Sequence, residues 1–236
     1  MLLFYVPDMA DRPQLPEAEA QHCLKVLRMQ AGDIVHVTDG KGNLYKAAIL
    51  ETHPKHCLLD ILQITPQAPA REGQITIALA PAKNMERTEW FAEKATEIGL
   101  DAIAFLNCRF SERKEIKTER INKILISAMK QSLKTRLPKL QEMTGFQQFI
   151  TQNFEGQKFI AHCYPGQKSL LSKTYRPGEN VLVLIGPEGD FSEEEVESAV
   201  KQGFTPVSLG ESRLRTETAA LTACQIIHVV NQIAEK

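Results

Sequence analysis

Two short stretches in the C-terminal third combine backbone freedom with charge, the raw material of a ligand site. Gly186-Pro187-Glu188-Gly189 holds two glycines that admit positive φ and close approach, a proline that fixes φ and removes a donor, and one carboxylate. Such a loop is rigid and presents amides and carbonyls. Gly210 to Arg215 forms a second exposed loop, with Glu217 just beyond it. The G-x-G-x-x-G pattern of dinucleotide sites is absent. Glu193 to Glu195 stand at a predicted helix start, where they repel the anion that a bare helix N-terminus attracts. This favours an uncharged or cationic nucleoside over a polyphosphate. The plainer alternative is two ordinary connections in an α/β sheet, whose glycines serve turns and nothing else.

The elements that must position these loops follow from apolar rhythm. Val181–Ile185 is an unbroken apolar run suited to a strand covered on both faces. Ser192 with Glu195 forms a capping-box pattern that opens a helix, and Gly203 is placed to end it. Thr205 to Leu209 reads as a second strand. A helix follows from Thr216, with Leu221, Cys224, Ile227 or His228, and Ile233 near one face. If the two strands are neighbours, both loops rim one crevice at the strand ends. Lys158 to Tyr164 reads as the preceding strand, and His162-Cys163 at its end line the same crevice or sit in the core.

Upstream, residues 1 to about 66 read as a compact β-rich module. Strands are expected at Phe4–Val6, Asp33–Asp39, Leu44–Leu50 and Cys57–Ile64, with one helix over Glu17–Met29 and a Gly-rich hairpin turn at Asp39–Asn43. Ile64 to Gly73 is a linker without periodicity. Beyond it Ile75–Ala80, Met85–Ile98 closed by Gly99, and Ala102–Leu106 alternate as strand, helix, strand, which argues for a parallel sheet. Lys83-Asn84 falls just past a strand's carboxyl end, where a substrate can approach.

Composition excludes several classes. No apolar run reaches the roughly 20 residues of a membrane span, and the start MLLFYVP lacks a basic leader. Five widely spaced cysteines without C-x-x-C argue against a disulfide framework and for a reducing cytoplasm. THPKHC at Thr52 to Cys57 reads as a hairpin turn with two histidines, since no second ligand pair exists, so no metal is expected. Net charge is −1, yet Arg109 to Lys139 carries ten Lys or Arg against three Asp or Glu. Such a stripe is the footprint of a phosphate-contact surface or, equally, a solvated helix face. Within it Ile121, Ile124, Leu125, Ala128 and Leu133 mark a buried helical side, and Pro138 is expected to end the helix.

LIGPEGDFS and LGESRLRTETAAL, with HCLKVLRMQAGD, EKATEIGLDAI and SAMKQSLKTRLP in the same order, resemble the RsmE family of 16S ribosomal RNA methyltransferases along nearly the whole chain. Two departures stand out. The family usually has glycine where this chain has Asp190, and Arg followed by an aliphatic residue where it has Ser212-Arg213. The resemblance implies an α/β protein with a PUA-like β-barrel module over residues 1–68 and a SPOUT-type parallel-sheet domain over 72–236, ending in a trefoil knot. It implies S-adenosylmethionine held by Cys163, Leu184, Ile185, Gly186, Glu188, Gly189, Leu209, Gly210, Leu214, Arg215 and Thr216. It further implies a homodimer acting on 16S rRNA in the small subunit, with Arg28, Lys130, Gln131, Ser132 and Arg136 as RNA contacts.

The implied reaction places a methyl group on N3 of a uridine. That nitrogen is nucleophilic only as the imide anion, so a group must remove its proton or stabilise charge on the flanking carbonyls. Arg215 suits the second task; Glu217 or Glu188 takes the proton, or else caps a helix or holds the loop. The rivals are a related methyltransferase with another nucleoside target and a noncatalytic RNA-binding assembly factor.

Overall fold

A computed structural model describes residues 2–234. The chain divides into two compact units, Met1–Pro69 with Ile126–Leu137, and Ala70–Leu125 with Pro138–Lys236.

The first unit opens with β1 (Leu3–Tyr5), β2 (Gln14–Leu15) and α1 (Glu17–Gln21), the last running into one π-helical turn at His22–Val26. The helix expected to Met29 therefore stops earlier, and Arg28 takes a positive φ of 55°. β3 (Ile34–Thr38), β4 (Asn43–His53) and β5 (His56–Pro66) complete a five-stranded sheet of order β1-β3-β4-β5-β2. Only β1 and β3 pair in parallel. Alternate residues Val35 and Val37, and Tyr45, Ala47 and Ile49, point into one core with Phe4, Met9, Leu15 and Cys57. The β3–β4 turn is tight because Gly40, at φ 71°, has no room for a side chain: a Cβ there would lie 2.9 Å from Tyr5 Cε2.

The second unit contains β6 (Ile75–Leu79), α2 (Met85–Ile98), β7 (Ala102–Asn107), α3 (Thr118–Gln131, divided between the units), β8 (Lys139–Gly145), α4 (Phe146–Ile150) and β9 (Gln157–Ala161). It continues with β10 (Ser169–Leu170), α5 (Leu171–Thr174), β11 (Val181–Ile185), α6 (Glu193–Lys201), β12 (Thr205–Ser208) and α7 (Thr216–Ala234). Its seven strands are all parallel, in the order β10-β12-β9-β11-β6-β7-β8. Every side chain of β6 and β11 is buried, as strands covered on both faces require. Ala78, Leu106, Ile160, Leu184, Phe191 and Phe204 share one core beneath the strand ends.

Two expectations change. β9 lies between β11 and β12, so the two signature strands are not neighbours. α3 ends at Gln131, well before Pro138, because Leu133 adopts a φ of 56°; Leu133 is exposed, outside the buried side formed by Ile121, Leu125 and Ala128.

Candidate active site

The second unit brings its loops together at the carboxyl ends of adjacent strands. Ala161 of β9 pairs with both Ile185 of β11 and Val207 of β12, and Ile185 pairs with Leu79 of β6, so these strands end level. The loops beyond are then tied by hydrogen bonds. Thr216 Oγ1 donates to the Gly186 carbonyl at 3.0 Å, joining the two signature loops across the intervening strand. Lys83 N–H donates to Glu188 Oε1 at 2.9 Å, and Cys163 N–H to Asp190 Oδ2 at 2.7 Å. The Tyr164 hydroxyl donates to the Phe191 carbonyl at 2.7 Å.

Local chemistry explains the shape of the first loop. Asp190 has φ 67°, a left-handed conformation that glycine adopts freely and that aspartate tolerates better than most residues. The conformation therefore suits the glycine of the family pattern, and the carboxylate at this position adds bonds to Cys163 N–H and Phe191 N–H. At Gly186 a Cβ would lie 3.0 Å from Phe191 N, and at Gly189 one would lie 3.1 Å from Phe110 Cβ. Gly210, at φ 133°, faces open space. α6 starts with the expected box: Ser192 N–H donates to Glu195 Oε2 and Glu195 N–H to Ser192 Oγ. Glu195 is buried and its other oxygen accepts from Arg109 N–H at 2.9 Å, so this carboxylate holds a loop as well as a helix start.

Charge around the loops is sparse and defined. Burial, then the charge of Lys168, holds the His162 imidazole below its usual range, with Asp190 opposing; Nδ1 is buried without a partner among the described residues. Cys163 is exposed, and burial of its sulfur, with Asp190 beside it, raises the thiol, while Arg213 and Lys168 act the other way. Arg215 is exposed and its guanidinium has no partner among the described residues. Leu184 and Ile185 lie within β11 with buried side chains, so any ligand role for them falls to the backbone; Leu209 and Leu214 are half-buried, and Glu188 and Gly189 are exposed.

Glu217, in the first turn of α7, is nearly buried, with its side chain 10% exposed. Among the described residues its ion-pair partner is Arg87 Nε at 3.8 Å, too long for a hydrogen bond. Both border a cleft of about 370 Å³ together with Asn84, Glu86, Trp90 and Thr218. The sequence reading passed over Arg87 and Trp90. Their available signal was a single tryptophan three positions after an arginine, on the helix that follows Lys83-Asn84.

The proposed RNA contacts sit differently. In the first unit Lys130 Nζ pairs with Glu19 at 2.5 Å. The Arg136 guanidinium donates to the carbonyls of Lys41 and Gln67, both at 3.0 Å. Ser132 Oγ donates to Ala128 O at 2.7 Å. Arg28 and Gln131 are exposed. Among the described residues no group of His, Cys, Asp or Glu is arranged to hold a metal ion.

The model of the RNA methyltransferase domain matches residues 69–228, and that of the RNA methyltransferase PUA domain matches residues 15–62. The ribosomal RNA small subunit methyltransferase E of Bacillus subtilis is 27% identical over 222 residues, which cover 89% of this chain and 86% of the relative. The chain belongs to the RsmE family. Among solved structures, a probable rRNA-methyltransferase from Porphyromonas gingivalis is similar to this RsmE-family protein with a TM-score of 0.95 and 46% identity, covering 99% of this chain and 100% of that one. The ribosomal RNA small subunit methyltransferase E of Neisseria gonorrhoeae, bound to S-adenosyl methionine, gives a TM-score of 0.85 at 26% identity, over 98% of each chain. The five-stranded module is thus a PUA-like domain and the parallel sheet is of the SPOUT type.

Proposed function

We propose that this protein transfers the methyl group of S-adenosylmethionine to N3 of a uridine in 16S rRNA of the small ribosomal subunit. The observation that carries the reading is the hydrogen bond from Thr216 to Gly186, which gathers the two signature loops at one rim although β9 separates their strands. The relatives bearing the small-subunit methyltransferase name and the relative bound to S-adenosyl methionine support it.

The residues present suit that cofactor. The rim offers backbone groups about Gly186, Gly189 and Gly210, the His162 imidazole, whose Nδ1 has no partner among the described residues, and the Asp190 carboxylate. Such a donor set fits a neutral heterocycle and a cationic sulfonium. Cys163 and backbone groups from Leu184 to Gly189 and from Leu209 to Thr216 would hold it. When bound, the sulfonium supplies an activated methyl group, so neither metal nor covalent nucleophile is required of the protein. Arg215, charged and without a partner among the described residues, stabilises negative charge on a carbonyl of the acceptor base. Glu217, nearly buried and only loosely paired, accepts the imide proton.

The knot, with the second loop threaded through an earlier one, is what family membership implies. Val229 and Ile233, exposed on α7, are the apolar residues a homodimer would cover. Arg28 and Gln131 remain exposed for RNA, whereas Lys130, Ser132 and Arg136 already serve protein partners. A domain boundary between residues 68 and 72, and a cytoplasmic location with five free cysteines, complete the proposal. No described helix is long and apolar enough to cross a membrane.

Calorimetric titration with S-adenosylmethionine, followed by transfer of tritiated methyl to purified small subunits, tests the reading. Binding and RNA-borne label are expected. A protein that binds no cofactor is an assembly factor, and one that labels only another nucleoside has a different target.

A further inference from the structure

We propose that the cleft between the first turns of α2 and α7 receives the acceptor base, with Glu217 and Arg87 reading its imide edge and Trp90 forming its stacking wall. The inference rests on the methyltransferase reading and names where the substrate sits.

Three observations converge on this cleft. Its two walls are fastened to the same signature loop: Asn84 to Trp90 follow Lys83, whose N–H is bound to Glu188, and Glu217 and Thr218 follow Thr216, whose hydroxyl is bound to Gly186. It therefore opens beside the loop assigned to the cofactor. Trp90, the one tryptophan of the chain, is 44% exposed, although indole is among the most apolar surfaces available to a protein. Glu217 is a nearly buried carboxylate whose partner stands off at 3.8 Å, while the Arg87 side chain is 37% exposed. A desolvated carboxylate with so loose a partner gains from a further donor.

The donor pattern selects the ligand. An imide presents one N–H between two carbonyl oxygens. Glu217 accepts from the N–H and Arg87 donates to a neighbouring oxygen, while the ring lies on indole. Cytosine and adenine carry an acceptor nitrogen at the equivalent place, which would confront Glu217 and leave its charge unpaired. Guanine has an N–H there but only one flanking carbonyl. Arg87 and Trp90, three positions apart, share one side of α2, so helix geometry keeps guanidinium and wall in fixed relation.

The single tryptophan makes the cleft directly observable, independently of catalysis. Titrating the full-length protein with short oligouridylate should quench Trp90 fluorescence saturably, at least several-fold more tightly than oligocytidylate. Arg87→Gln should erase that preference. In steady-state transfer, Trp90→Ala should raise KM for small subunits about tenfold, the size of one lost base stack, leave the affinity for S-adenosylmethionine within twofold, and be largely rescued in Trp90→Phe. Equal quenching by both oligonucleotides, or none, would overturn the proposal. So would Trp90 emission that follows protein concentration together with a Trp90→Ala change in solution mass, which would mark the cleft as a contact between copies. Quenching that prefers uridylate in a protein without transferase activity would sink the methyltransferase reading and leave the cleft assignment standing.

Discussion

The loops at the strand ends of the second unit and the basic segment over Ile126–Leu137 of the first use charge in opposite ways. In the segment, Lys130 is paired with Glu19 and Arg136 donates to two backbone carbonyls, so much of its charge holds the protein together. At the strand ends the ties are made by N–H groups, a threonine hydroxyl and the carboxylates of Asp190 and Glu188, and the Arg215 guanidinium has no partner among the described residues. A count of basic residues therefore does not by itself mark a contact surface. At the strand ends charge is left unused beside loops that are tied by hydrogen bonds.

That contrast can be broken at several points. Arg215→Ala should lower turnover at least about a hundredfold, the scale of one lost charge-stabilising group, while cofactor affinity measured by calorimetry changes little. Gly186→Val should abolish cofactor binding and lower stability by about 1–3 kcal/mol, because its Cβ meets the backbone nitrogen of Phe191 rather than a yielding side chain. Arg136→Ala should act on folding, costing about 1 kcal/mol in denaturant melts, with the salt dependence of RNA binding unaltered; a reduced slope would return Arg136 to the RNA surface.

Smaller effects come from titration and labelling. Burial acts to raise the Asp39 carboxyl, but hydrogen bonds from Asn43, Lys41 N–H and Tyr45 outweigh it and hold the group below its usual value. A depressed folded-state value means that the stability contributed by Asp39 is complete above about pH 3.9, the unfolded reference, and is lost as pH falls through the folded value. Acid melts of wild type and Asp39→Asn should accordingly differ at neutral pH and converge at low pH. Burial, reinforced by Cys57, pushes the Cys23 thiol up to about 11, and burial pushes Cys224 up to about 12. Cys163 is the one exposed cysteine among the five and should be alkylated first; S-adenosylmethionine should slow that labelling.

Much of the fold was legible because its signals are local. The α2 bounds, β11 and the Ser192–Glu195 box follow directly from apolar runs and capping residues. Strand order is not local. Nothing in Thr205–Leu209 announces that β9 would separate it from β11, since pairing is decided by how crossovers pack. The early ends of α1 and α3 were hidden because Arg28 and Leu133 take left-handed φ values that their residue types do not announce. At the candidate site, glycine spacing marked the loops, and Arg215 and Glu217 stood out by residue type alone. The partners of Lys130 and Arg136 lie 111 and 95 positions away in the chain, a distance no pattern spans. Arg87 and Trp90, which line the proposed base cleft, gave no such signal, because a lone aromatic on a helix ordinarily reads as core.

The most direct trial is nucleoside-resolved mass spectrometry of 16S rRNA from unmodified small subunits after incubation with S-adenosylmethionine and either wild type or Arg215→Ala. One uridine carrying a methyl group on N3 with wild type, and none with the variant, is the predicted result. No modified uridine with wild type, or equal modification by both proteins, would contradict it.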